Sequence, residues 1–251
     1  MVESEEGLDK LFYELANDSR LGILRELQSK ELRILEIAKK LNLTDTEASR
    51  QLQRLSDGLL VQKQPDGHYK ITPYANLVLH ISSPLTFVYR FREYFLNHDA
   101  SPIPGEFLIR LEELSGSELS PKILDTMNKM AIVLRNAKER IDCTIEVGGD
   151  LHIQIMLQRL AEGVKVRWLI QESFIDKARE LLLSATKVPE IRVTPRILLH
   201  LYLTEKEAAV CLRNNNGVFD YSTFFSEDTA FAKWTSDLYN HEWQRAKSWR
   251  P

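Results

Sequence analysis

The chain has 251 residues, of which 43% are hydrophobic and 27% charged, with a formal net charge of -3. That length and apolar content suffice to bury a sizeable core and favour two domains over one. The near-neutral balance excludes a general basic field for nucleic acid, and no apolar run is long enough to span a bilayer.

Acidic side chains crowd the start, with Glu3, Glu5, Glu6, Asp9 and Glu14 around a short amphipathic helix from Leu8 to Ala16. A second helix runs from Arg20 to Gln28, and Asn17 and Asp18 between the two suit an N-cap. Leu8, Leu11, Phe12 and Leu15, then Leu21, Ile23, Leu24 and Leu27, are available for burial. Ile34 to Leu41 reads as a third helix with Ile37, Ala38 and Leu41 inward, and Asn42-Leu43 makes a tight turn.

The helix that follows, Thr44 to Asp57, opens with a capping box: the Thr44 hydroxyl accepts from the Glu47 amide while the Glu47 carboxylate reaches back. Ala48, Leu52 and Leu55 recur at i, i+4 and i+7 and so share one buried face. The same period turns Thr46, Arg50 and Gln53 outward, with Ser49 and Arg54 at the flanks. After Gly58 the pattern changes to strands. Leu60, Val61 and Lys63 lead into the turn Pro65-Asp66-Gly67, and Tyr69 and Ile71 alternate with His68 and Lys70 on the return.

Helices, tight turn and hairpin spell a winged helix-turn-helix, with Thr44 to Asp57 placed for a DNA major groove and the wing, Leu60 to Thr72, for backbone or minor groove. Guanidinium and amide forks match base edges. The candidate contacts to double-stranded DNA are therefore Thr46, Ser49, Arg50, Gln53 and Arg54, with Lys63, His68 and Lys70 on the wing. Acidic and basic side chains nearly balance over residues 1–95, so the basic ones must be segregated onto this surface, and binding should depend steeply on salt.

Over these residues, EIAKKLNLTDTEASRQLQRLSDGLLVQKQPDGHYKITPYA, the sequence resembles the ArsR/MarR-like winged-helix repressors of prokaryotes. The resemblance covers roughly the first third of the chain and implies DNA reading; a winged helix used only as a protein adaptor is the alternative.

Thr72-Pro73 opens another helix, because Pro at the first helical position lacks only an N–H that would be unpaired there. Ser83-Pro84 repeats the device. Phe87, Val88, Phe91, Tyr94 and Phe95 then form an aromatic stripe that must be covered, either by the chain's own domains or by a second copy. Since one winged domain reads a half-site, part of the stripe is assigned to a second copy, as in a homodimer. The turn-rich NHDASPIPG from Asn97 to Gly105 marks the boundary between a winged domain with its linking helix, 1–97, and a second domain, 98–251.

Beyond it, strands are expected near Glu106 to Arg110, Ile141 to Val147, Val164 to Ile170, Glu190 to Val193, Leu198 to Leu203 and Glu207 to Arg213. Helices are expected near Pro121 to Arg140, Asp150 to Glu162, Glu172 to Ala185 and Ser226 to Lys247. That order implies an α/β domain with a sheet covered by helices. Cys143 and Cys211 are isolated in strand-like segments, which suits a reducing, cytoplasmic setting and offers neither a disulfide frame nor a metal motif.

The stretch VFDYSTFFSEDTAFAKWTSDLYNHEW, from Val218 to Trp243, is similar to the C-terminal domain of archaeal regulators of the methanogenesis-regulatory-protein family, and Pro104 to Leu119 fits the same family. The resemblance implies an archaeal transcription regulator with a ligand-sensing domain of the phospholipase-D-like fold used in TrmB-type sugar regulators. The expected fold class is thus an α+β winged helix-turn-helix domain followed by an α/β, phospholipase-D-like sensor domain. Phospholipase-D enzymes use His-x-Lys-x4-Asp twice, for nucleophile, acid and phosphate grip. Here a single degraded copy, His200, Tyr202 and Glu207, lacks the lysine, so a phosphodiesterase is the least favoured alternative and no enzyme activity is expected.

A hairpin around Glu205-Lys206 would pair Tyr202 with Ala209, His200 with Cys211 and Leu198 with Arg213. Its other face, Leu199, Leu201, Leu203, Ala208, Val210 and Leu212, is uniformly apolar. Polar tips above small residues leave room for an effector, for which His200, Tyr202, Arg213 and Tyr221 are candidates, with Arg167 supplying charge for an anion. Equally, His200 and Tyr202 could bond within the core and Arg167 could be solvated at an edge. The whole reads as a homodimeric, ligand-responsive DNA-binding transcription regulator that needs neither cofactor nor membrane.

Overall fold

The computed structural model describes residues 7–147, 150–183 and 185–251; the expected acids Glu3, Glu5 and Glu6 lie outside them. The chain divides into two compact units, Met1–Ser83 and Pro84–Pro251.

The first unit contains α1 (Leu8–Leu15), α2 (Asp18–Ser29), β1 (Leu32–Arg33), α3 (Ile34–Leu41), α4 (Asp45–Asp57), β2 (Val61–Lys63), β3 (His68–Ile71) and α5 (Pro73–Ser82). The Asn17 side chain accepts from the Arg20 amide at 3.0 Å and so caps α2. At the start of α4 the capping box is present in both halves, Glu47 N–H to Thr44 Oγ1 at 3.2 Å and Thr44 N–H to Glu47 Oε2 at 3.0 Å. Asn42 takes the left-handed conformation, φ 53°, which ends α3 and turns the chain into α4. Ile23, Leu24, Ile37, Leu52, Leu55 and Leu60 are fully buried together as the core. The three strands order as β1-β3-β2, with Gln62 opposite Lys70 in the wing.

The second unit begins at Pro84, earlier than the expected boundary after Asn97. Its elements are α6 (Pro84–Arg90), α7 (Arg92–Phe95), α8 (Gly105–Leu108), β4 (Glu118–Ser120), α9 (Ile123–Asn136), β5 (Arg140–Ile145), α10 (Asp150–Ala161), β6 (Lys165–Gln171), α11 (Ile175–Leu182), β7 (Glu190–Thr194), β8 (His200–Thr204), β9 (Ala208–Cys211), β10 (Thr223–Ser226), α12 (Thr229–Arg245) and β11 (Lys247–Trp249). One sheet runs in the order β11-β7-β6-β5-β8-β9-β10-β4. Its β5-β6-β7 segment is parallel, joined through α10 and α11, while β8 onwards is antiparallel.

Each face of the sheet carries its own core. One joins Leu199, Leu201, Leu203, Val210 and Phe224 to Phe231, Trp234 and Leu238 of α12. On the other, Ile141, Cys143, Val166, Trp168 and Ile170 meet Met130 and Leu134 of α9, Met156 of α10 and Ala178 of α11.

Two expectations are corrected. The aromatic stripe is covered by its own chain, because Phe87, Phe91 and Tyr94 surround Phe224 of β10 with ring centroids 5.4, 4.9 and 4.6 Å away. Phe87 and Tyr94 are buried, which leaves neither to meet a second copy. Glu106 to Arg110 is not a strand. Pro104 precedes a helical turn, and Phe107, Leu111 and Leu114 are spaced to enter the α12 core.

Candidate nucleic-acid interface and effector cavity

Helix α4 presents the surface that its period dictates. Ala48, Leu52 and Leu55 are buried on one side, while Thr46, Ser49, Arg50 and Gln53 are exposed on the other. Gln53 Nε2 rests on Asp57 Oδ1 at 2.7 Å, an exposed bond that water or a base can replace.

Arg54 is not free in the same way. Its Nη2 and Nε donate to Glu14 of α1 at 2.6 and 3.3 Å, and its guanidinium lies 5.0 Å from the Tyr13 ring centre. Below it Arg20 is buried, donating to the Tyr13 and Glu14 carbonyls at 2.6 and 2.7 Å and to Gln51 Oε1 at 3.1 Å. This lattice ties α1, α2 and α4 together. The Arg54 hydrogen bond, ahead of the opposing effect of burial, holds the Glu14 carboxyl below its ordinary range.

On the wing, Lys63 is exposed over Tyr69, Lys70 is exposed with Glu31 3.5 Å away, and His68 is half-buried with Asp66 at 2.9 Å. Arg50 and the wing lysines thus stand exposed, whereas Arg54, with 39% of its side chain exposed, is engaged by Glu14.

In the second unit the hairpin has the expected register, His200 opposite Cys211 and Tyr202 opposite Ala209. The ladder ends there, so Leu198 and Arg213 lie beyond it. His200, Tyr202 and Cys211 open onto a small cavity, with Tyr221 and Thr223 on the β10 side. Thr126, Met127 and Met130 of α9 and His152 of α10 close it. The empty core measures about 20 Å³, room for roughly one water molecule.

His200 is buried, its Nε2 has no hydrogen-bond partner, and its ring stacks on Phe219 at 3.7 Å. Burial, aided by the charge of Arg213, lowers its pKa to about 3, so the imidazole is neutral at physiological pH. Arg213 stands behind it, donating to the Ile197 carbonyl at 2.9 Å and the Gly217 carbonyl at 2.8 Å, 2.9 Å from Glu146 and over the Phe219 ring.

Arg167 does not join this group. It grips the buried Asp142 with two hydrogen bonds of 2.7 and 2.8 Å and lies between the Tyr239 and Trp243 rings of α12, each 5.1 Å away. It is neither cavity-lining nor solvated at an edge. The degraded triplet is likewise split: Glu207 pairs with Lys129 at 3.4 Å and does not line the cavity, and burial raises its carboxyl pKa.

Sequence reasoning missed Glu14 and Tyr13, which restrain Arg54, and Met127, Met130 and His152, which roof the cavity. All five lie on other elements, and no local pattern marks them. Among the described residues no His, Cys, Asp and Glu cluster is placed to hold a metal, and no helix is long and apolar enough to cross a membrane. Both cysteines are free and buried.

Fold and site together define a winged helix-turn-helix unit with an exposed polar face on α4, on one chain with a mixed-sheet α/β unit that holds a small cavity. Residues 123–245, most of that second unit, match the family described as the methanogenesis regulatory protein FilR1, middle domain. Among solved structures, TrmBL2, described as an archaeal chromatin protein with a novel mode of DNA binding, is 16% identical with a TM-score of 0.42, over 96% of this chain and 99% of its own. Nuc from Salmonella typhimurium, a phospholipase D family member, is 11% identical with a TM-score of 0.41, over 50% of this chain and 91% of its own. The homodimeric winged helix-turn-helix domain of Mb0332 from Mycobacterium bovis is 24% identical with a TM-score of 0.30, over 37% of this chain and 95% of its own. No curated protein matches.

Proposed function

We propose that this protein is an archaeal DNA-binding transcription regulator that acts as a cytoplasmic homodimer and responds to a small molecule held in its second domain. The observation that carries the reading is the α4 surface, where Thr46, Ser49, Arg50 and Gln53 stand exposed opposite the buried Ala48, Leu52 and Leu55. Side chains of these types can donate to phosphates and read base edges from a major groove. The family match over residues 123–245 supports a regulatory role for the second domain.

A second copy has a surface to use that is separate from the aromatic stripe. On α1, Leu8, Phe12 and Tyr13 are exposed, and on α5 so are Tyr74, Leu77 and Ile81, spaced to form one stripe. Covering such apolar area by an identical patch gives a two-fold pair and two reading helices. Effector binding in the second domain then alters DNA occupancy through a coupling of roughly 1 to 3 kcal/mol.

Selection of bound fragments from random DNA tests the reading. A two-fold-symmetric site is expected, and Arg50→Ala should weaken binding to it by about 1 to 3 kcal/mol. Failure to enrich any site, with Arg50→Ala silent, would leave the winged helix as a protein adaptor.

A further inference from the structure

We propose that the cavity beside β8 takes a small uncharged aromatic molecule carrying one hydroxyl or ring N–H, which hydrogen-bonds to His200. This deepens the effector-sensing role proposed above and rests on it.

The chemistry of the wall excludes ions. Among the described residues no carboxylate, lysine or arginine lines the cavity. The nearest guanidinium, Arg213, is already engaged by two carbonyls and Glu146, and Arg167 is committed to Asp142. A charged guest would lose its hydration here and gain no counter-charge. An anionic effector, which Arg167 had suggested, therefore has no place in it.

What the wall does offer is sulfur and aromatic surface with one fully buried polar atom, His200 Nε2, that lacks a partner. Met127, Met130 and Cys211 face the space together with Tyr202 and Tyr221, and thioethers make favourable contacts with aromatic rings. Meanwhile His200 Nε2 is buried without a partner, a cost that a single hydrogen bond from a guest removes.

A void of about 20 Å³ is too small for a ring as it stands. The unbranched Met127 and Met130 side chains are the adaptable part of the wall and can withdraw to admit one. Access is apolar on the helix side. Leu124, one turn before Met127, is 74% exposed, and Leu151, next to His152, is 54% exposed. His152 Nε2 donates to the Met127 carbonyl at 3.0 Å, so α9 and α10 are latched beside the cavity. A guest that displaces Met127 strains that latch, a route from binding to a shift of helices.

The test uses the full chain with phenol as probe, and benzoate and benzene as controls, read by thermal unfolding and saturation-transfer NMR. Phenol should bind and raise Tm, and benzoate should do neither. His200→Phe keeps a ring to stack on Phe219 but should weaken phenol about tenfold while leaving benzene unaffected. Met127→Ala, which enlarges the cavity, should tighten phenol binding. Absence of phenol binding in both the wild type and Met127→Ala would overturn the proposal, as would equal binding of phenol and benzoate. DNA affinity is measured alongside. If phenol binds and DNA affinity stays constant, the cavity assignment stands and effector coupling fails. If a symmetric DNA site is selected but phenol does not bind, the regulator stands and the cavity assignment fails.

Discussion

The carboxylate of Glu14 on α1 holds the guanidinium of Arg54 on α4 by two hydrogen bonds, 2.6 and 3.3 Å long. The arginine that the helical period turns toward the reading face is thus drawn back onto its own fold. In the proposed DNA complex Arg54 would reach DNA only by giving up Glu14 and the Tyr13 ring, so binding by the free chain should be weaker than the α4 sequence would allow. Replacing Glu14 with Gln should release Arg54 and tighten binding to the selected site by roughly tenfold, the scale of one added charged contact. Fluorescence anisotropy at fixed salt reads this directly. Unchanged affinity would mean that Arg54 takes no part in recognition.

His200 gives the second unit a signature in pH. Its folded pKa of about 3 lies below the unfolded value, so between the two the unfolded chain binds a proton that the folded chain does not. Stability should therefore be complete above about pH 6.5 and fall as pH drops, by about 2 kcal/mol at pH 5. Urea denaturation across this range should show the slope, and His200→Phe should remove it. A wild-type profile as flat as the variant's would show that His200 titrates normally in the folded chain.

Arg167 was a candidate for the effector and is instead a brace. Asp142 is 2% exposed, and Arg167 is its only ion-pair partner among the described residues. Arg167→Ala should leave a buried carboxylate without its counter-charge and destabilise the protein by about 3 to 5 kcal/mol. A thermal melt with little change, together with lost phenol binding, would restore Arg167 to the ligand site.

Tyr94 joins α7 to the adjoining ends of β9 and β10. Its hydroxyl accepts from the Leu212 amide at 3.1 Å and donates to the Ser222 carbonyl at 3.3 Å, while its ring stacks on His98 at 3.7 Å. Tyr94→Phe keeps the stack and strands both backbone groups, at a cost of about 1 to 3 kcal/mol in denaturant unfolding. An unaltered midpoint would mean that water satisfies both groups in the variant.

What could be read from sequence was what neighbours in the chain decide. The α4 capping box spans four residues, Thr44 to Glu47, and the β8 to β9 register follows from one tight turn, so both were legible. The short strands β4, β10 and β11 were not. Each has only three or four residues, too few to display a period, and β10, Thr-Phe-Phe-Ser, is buried throughout. Charged side chains misled for a different reason. Arg54 and Arg167 look available until their partners are known, and those partners, Glu14 and Asp142, stand 40 and 25 residues earlier. Only the folded chain brings them within reach.

The ring of aromatic side chains around Phe224 decides where the polypeptide can be divided. A fragment starting after Asn97 would lose Phe87, Phe91 and Tyr94 and open the sheet's α12 face to solvent, inviting aggregation. Dividing the chain between Ser83 and Pro84 leaves both cores whole. A graft of the winged helix-turn-helix unit onto another domain should be joined there.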